Sequence, residues 1–468
     1  MRVIVARQRT STTQCRVLTD LTVALAAACW LATAAMMMAE AAGPTWADVG
    51  AAIDADTSMS SFTFIVLNAE GEQFAYYKNV SNTQRSTTRL SVASASKWVS
   101  ASVLLRVVED GDLVLDAPIS TYLTWWNATS SDPRSRVTLR NLLAFTSGFT
   151  SPSVNSEGDP CIGDSSYSTL TCAQQIYNNA VTSGVNQNFY EPGTEFYYSG
   201  NHMQIAAAAA EAATGSTWAQ LFSQYVKTPL GISLLSGYGP VANPNIAGGL
   251  FILTNEYLTW LQKIFSRTFF ANAATYAIME ADNTPTATVD IMYTPVAGLA
   301  SPQTWHYSQG NWLECQQFPF AAACATINAH SSPGKFGFYP RIDYQYGFYS
   351  VLARADIFQT RAGMISVAFF QTVQANVTIL AGHASSSSSG QVSSTPVPAS
   401  TTPVPRSTTA GPASTSAHSA IATTGRSTAT TGVHAASATK TGNSASMLIP
   451  ASLPLLCIAT AVIIFFSG

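Results

Sequence analysis

Charge is what this chain most lacks: of 468 residues only 22 are Lys or Arg and 25 are Asp or Glu, for a formal net charge of -3. No basic field exists to attract a polyanion, so nucleic acid is excluded as a partner. Histidine is also scarce, with six in all. None sits near Cys161 and Cys172 or at a finger-like spacing, which argues against structural zinc. A Gly-x-Ser-x-Gly elbow is missing too, so His202, His306, His330 and His383 have no obvious serine to serve.

What is present is an apolar, secretory-looking chain, 47% hydrophobic. Arg2, Arg7, Arg9 and Arg16 precede an apolar run from about 21 to 38 and then small residues near Ala41. That order predicts a signal peptide over 1–42, with an uncleaved signal anchor as the alternative. Residues 444–468 end in an apolar run with no Lys or Arg after it. This tail reads as a glycolipid-anchor signal or as a single membrane helix. Between the two ends, 384–443 is dominated by Ser, Thr, Ala, Gly and Pro. Such a segment buries too little apolar surface to offset its ordering entropy, and it is expected to be an extended stalk.

The part expected to fold is 43–383. Four cysteines fall inside it, and their spacing suggests the pairs Cys161 with Cys172 and Cys315 with Cys324. Asn79, Asn127 and Asn376 open glycosylation sequons. A short helix is predicted from Trp46, and SFTFIVLNAEGEQFAYYK, from Ser61, alternates around a polar turn as a hairpin does. For the segment from Ile357 to Leu380 helix is favoured, with strand left open by its Val, Ile and Phe content.

From about Ser94 the apolar period becomes helical, through Val99, Val103, Leu104, Val107 and Val108, and it stops at Asp110-Gly111. Ser94 and Lys97, three apart at the helix start, project from one face. The unpaired N–H groups there suit an oxyanion, and a lysine among Ala95, Ser96 and Trp98 can be desolvated enough to take the serine's proton. Ser-x-x-Lys also occurs at Ser332 and at Ser437, so the motif alone decides nothing. A capping serine with a snorkelling lysine satisfies it equally.

The surroundings decide more. GDLVLDAPISTYL (111–123), VTLRNLLAFTSGF (137–149), PGTEFYYSGNHMQIAAAAAEAATG (192–215) and IAGGLFILTNEYLTWLQKIF (246–265) follow Ser94 in order. In this the chain resembles the serine beta-lactamase and penicillin-binding protein superfamily, in its class C-like branch of esterases and D-amino peptidases. Phe145 is a departure, standing where the branch often has histidine. The resemblance implies an α+β fold: an antiparallel sheet of the hairpin and strands after Gly334, flanked by helices, with a mostly helical region between about 120 and 300. It implies Ser94 as nucleophile, Lys97 as base and Tyr198 as proton shuttle, with no metal or organic cofactor. Gly200 stands where relatives often have asparagine, and Asn201 is adjacent. The third motif is matched to Ser332-Pro333-Gly334, with the Lys335 N–H as second oxyanion donor and Gly334 leaving room for substrate. Ser332 replaces the usual cation, and Lys335 takes its place only if its side chain turns inward. Two functions follow: a surface-tethered serine hydrolase acting on an ester or small amide rather than a beta-lactam, or a catalytically silent coat or adhesion module. Oligomeric state is left open.

Overall fold

The structure, a computed structural model, describes residues 43–151, 158–284, 295–296, 299, 301–359 and 361–382. The signal, stalk and tail at 1–42, 384–443 and 444–468, and His383 with them, lie outside the described residues.

Helix α1 is Trp46–Ala55, started by a reciprocal cap in which the Thr45 hydroxyl accepts from the Asp48 N–H and the Asp48 carboxylate accepts from the Thr45 N–H. The expected hairpin follows as β1 (Phe62–Asn68) and β2 (Gly71–Lys78), joined by a two-residue turn. Strand β1 is buried along nearly its whole length because both faces are covered. It pairs with β10 (Phe348–Ala353), and the antiparallel sheet continues through β9 (Tyr339–Asp343), β8 (Ala329–Ser331), β7 (Trp312–Leu313) and β6 (His306–Tyr307), giving the order β2-β1-β10-β9-β8-β7-β6. The sheet thus extends past the expected limit, since β6, β7 and β8 precede Gly334.

The segment after Ile357 resolves as helix, α6 (Ala362–Ala381), starting five residues late. It lays Phe369 and Phe370 against Phe62 and Phe64 of β1, which accounts for its β-like composition: these side chains face a sheet. On another side lie α2 (Ser96–Glu109), α3 (Thr169–Asn179), α4 (Gly200–Thr214) and α5 (Thr254–Phe265). A second sheet, β3 (Arg89–Ser91), β5 (Leu250–Leu253) and β4 (Gly237–Tyr238) in the order β3-β5-β4, was not expected, since strands of two to four residues carry no readable alternation.

Both cysteine pairs are disulfides as the spacing suggested, with Cα separations of 5.5 Å for Cys161–Cys172 and 5.2 Å for Cys315–Cys324. Asn79 and Asn127 are exposed, whereas Asn376 lies half-buried within α6.

Candidate active site

The α-helix begins at Ser96, not at Ser94; the serine sits in a single 3-10 turn, Ala93–Ala95, that feeds it. Ala93 has φ +45°, a left-handed conformation that costs a non-glycine residue about 1–2 kcal/mol and persists only where neighbours enforce it. They do so from several sides. Val92 N–H donates to the Leu250 carbonyl at 3.1 Å, and Leu250 N–H donates to Ser96 Oγ at 3.1 Å, tying the turn to β5. The Tyr257 hydroxyl donates to the Ala95 carbonyl at 2.9 Å, and the Ser332 hydroxyl to the Ser94 carbonyl itself at 3.0 Å. Ser94 is left half-buried, with its side chain at the mouth of α2.

Lys97, the second residue of α2, is only 5% exposed. Its Nζ lies 3.0 Å from Ser94 Oγ and 2.8 Å from the Ala247 carbonyl oxygen, and 4.6 Å from the centre of the Tyr198 ring. An ammonium here has lost most of its hydration, and the carbonyl and ring face replace part of it. Tyr198 in turn stacks on Trp312 at 5.3 Å and leans on Phe145 and Tyr307, so its ring is fixed by a buried aromatic wall. Segments 94–97, 198 and 247 thus converge on one amine.

Two buried groups hold the Tyr198 segment from behind. His202 Nε2–H donates to the Tyr197 carbonyl at 2.8 Å, leaving Nδ1 to accept from the Ser147 hydroxyl at 2.7 Å. Burial, with the charge of Lys97 as a minor contribution, pushes the His202 imidazole down to about 3. Phe145, the departure from the branch, stacks on that ring at 4.8 Å. His330 is equally buried: its Nδ1–H donates to Asn311 Oδ1 at 2.6 Å, and its Nε2 faces the Asn328 side-chain amide at 2.7 Å, where a neutral ring accepts from that amide's N–H.

Several expected roles are redirected. Gly200 is the first residue of α4 and supplies no amide at the motif's third position. Asn201 does not replace it: its oxygen accepts from the Asp159 N–H at 2.7 Å and its nitrogen donates to the Thr150 carbonyl at 2.6 Å, so the amide clamps a loop. Gly334 is buried and serves an internal close approach, because a Cβ there would sit 2.2 Å from the Val92 carbonyl oxygen. The Lys335 side chain is exposed, since a turn closed by Gly337 N–H to Gly334 carbonyl at 2.8 Å ends the extended stretch before it can point inward. Among 332–335 the N–H of Ser332 goes to Pro340, that of Gly334 goes to Phe338, and Pro333 has none. Ala247 is the group that sequence reasoning missed, although it lies in the Ala-Gly-Gly block already singled out.

Gly334→Ala is therefore expected to press on Val92, two residues before Ser94. Overpacking of this kind costs about 1–3 kcal/mol. Urea unfolding should show that loss, and acylation of Ser94 should slow with it; wild-type values for both would mean the contact is soft.

Residues 63–243 match the Beta-lactamase family model. Among solved structures, a candidate beta-lactamase of Bacteroides dorei DSM 17855 is 24% identical, with 70% of this chain and 97% of that one covered and a TM-score of 0.53. EstCE1, described as a hydrolase with promiscuous acyltransferase activity, is 17% identical over 71% of this chain and 96% of that one, with a TM-score of 0.53. An octameric penicillin-binding protein homologue of Pyrococcus abyssi is 14% identical over 70% and 78%, with a TM-score of 0.50. The described region therefore has the antiparallel sheet and flanking helices of the serine beta-lactamase and penicillin-binding protein superfamily, and its residues 63–243 carry the Beta-lactamase family match.

Proposed function

We propose that this protein is a serine hydrolase acting through an acyl-enzyme on Ser94, with an ester or small amide as substrate. The observation that carries this is the 3.0 Å contact between Ser94 Oγ and the buried Lys97 Nζ. Ser94 Oγ attacks the substrate carbonyl carbon as Lys97 takes its proton, and the oxygen that gains charge is stabilised by the Ser94 N–H at the helix mouth. The family resemblance supplies the Lys335 N–H as the second donor. The leaving alcohol or amine takes back a proton through Tyr198, and water then releases the acid. A beta-lactam is disfavoured because no cation takes the inward position along 332–335: Ser332 is spent on Ser94's carbonyl and the Lys335 side chain is exposed.

The same proposal places the enzyme outside the cell, tethered by its tail on the Ser/Thr/Pro-rich stalk. Two disulfides support an oxidising compartment, and the sequences of the two ends support export and anchoring.

Exposure of the purified protein to a fluorophosphonate, followed by intact-mass analysis, tests the mechanism. One adduct, mapped to the peptide holding Ser94 and absent from Ser94→Ala, is the expected result. No adduct on folded protein would overturn it and favour the silent coat module.

A further inference from the structure

A cavity of about 300 Å³ opens where the start of β1 meets the end of β10, with Leu90 of β3 also on its wall. Arg354 and Arg85 line it together with the carboxylate of Asp356, and Ser60, Thr63, Gln84 and Thr254 supply polar groups. None of these residues touches Ser94, Lys97 or Tyr198 in the contacts described above.

Arg354 is the anomaly. It is 4% exposed, and no carboxylate among the described residues lies within 4.0 Å of its guanidinium. One terminal nitrogen donates to the Gln359 side-chain oxygen, while Nε is buried with no hydrogen-bond partner. Its stem is locked against Gly337, where a Cβ would sit 2.2 Å from Nε. Asp356 and Asp56 act on it only at longer range. Asp356 Oδ1 accepts the N–H groups of Phe358 and Gln359, and Asp56 Oδ1 those of Ser58 and Met59, so both carboxylates serve their own turns.

Among the described residues, the other deeply buried arginine shows what is missing. Arg341, 1% exposed, is paired with Glu314 at 2.8 Å and Asp343 at 2.9 Å. A buried charge without such pairing is strongly unfavourable. Desolvation accordingly pulls the Arg354 guanidinium down from its ordinary range. Across the cavity Arg85 adds a second positive group, of which one nitrogen is bonded to Glu72 and the Tyr77 hydroxyl.

We propose that this cavity is an anion site, separate from the Ser94 site, taking a small ligand whose carboxylate or phosphate oxygens pair with Arg354 and Arg85. The planar guanidinium fork matches either oxyanion, and the volume sits at the lower end of ligand pockets.

The test is titration of the purified protein with sodium phosphate and, separately, with sodium acetate, at ionic strength held constant with chloride. Heat of binding and thermal midpoint are read together, and the two arms distinguish phosphate from carboxylate recognition. A saturable 1:1 isotherm with at least one anion is expected, with a matching saturable rise in Tm. Arg354→Gln should weaken binding at least tenfold. Should that variant not fold, Ser60→Glu, at an exposed position on the rim, serves in its place: its tethered carboxylate should abolish the response to free anion while Ser94 labelling continues at the wild-type rate. Absence of a saturable isotherm with both anions, or an unchanged Kd in Ser60→Glu, overturns the proposal.

Discussion

Lys97→Met is expected to slow acylation of Ser94 by about 10²–10⁴-fold, the range that a positioned general base contributes, without loss of stability. Methionine fills the channel left by the lysine stem and needs no hydration, so the substitution removes a buried polar head along with the proton acceptor. The Ala247 carbonyl loses its 2.8 Å donor, a cost of about 1–3 kcal/mol that the removed desolvation offsets. Lys97→Arg separates base from charge: a guanidinium keeps the positive charge beside Ser94 and Tyr198 but accepts no proton at working pH. Both variants should therefore be slow if Lys97 is the base. The check is the labelling rate of Ser94 by a fluorophosphonate, measured beside urea midpoints for the three proteins. Retention of the wild-type rate in Lys97→Arg would mean that the lysine only shapes the field, and full rate in Lys97→Met would leave it as a packed helix lysine.

How much of this was legible depended on the length over which a pattern repeats. The hairpin at β1 and β2 and the face of α2 each span enough residues for a period of two or 3.6 to stand out, and both are where the spacing put them. Strands β3, β4 and β5 are too short for any period, yet they matter most to the site, since β5 holds Val92 and Ser96 in place. The convergence of Ser94, Lys97 and Tyr198 was suggested by the order of motif blocks, not by periodicity, because Tyr198 is a hundred residues from Lys97 in the chain and only tertiary packing joins them. For Asn201 and the Lys335 side chain the sequence left the direction open, for a local reason. Each neighbours a motif position, but one residue of helix register or one tight turn sends a side chain elsewhere. Asn201 is drawn to the loop at Asp159, and the Gly334–Gly337 turn carries Lys335 outward.

Between pH 6.5 and about 3 the two buried histidines are expected to remove stability steadily, because the folded protein holds them neutral. Burial lowers both His202 and His330 from 6.5 to about 3; the charge of Lys97 contributes at the first, and those of Arg267 and Arg341 at the second. In the unfolded chain each takes up a proton as pH falls through 6.5, while the folded chain does not until about 3. The unfolded state thus binds the extra protons, so the stability present above pH 6.5 is lost as pH falls through that window, at a limiting slope of about 1.4 kcal/mol per pH unit for each histidine. Raised carboxyls such as Glu211 act in the opposite direction, and lowered ones such as Asp116 and Asp132 matter only nearer 4, so single variants are needed to isolate the term. The free-energy difference between wild type and His330→Asn, from urea unfolding at pH 7, 6 and 5, should shrink toward low pH with that slope, and His202→Asn should do likewise. A pH-independent difference would mean that the rings are hydrated or charged in the folded protein. For His202 the consequence reaches the candidate site, since its neutral ring is the acceptor for Ser147 and the donor to the Tyr197 carbonyl. The same event that destabilises the fold in acid therefore loosens the segment that presents Tyr198 to Lys97, and acylation of Ser94 in His202→Asn should fall even at pH 7, where wild type keeps that link.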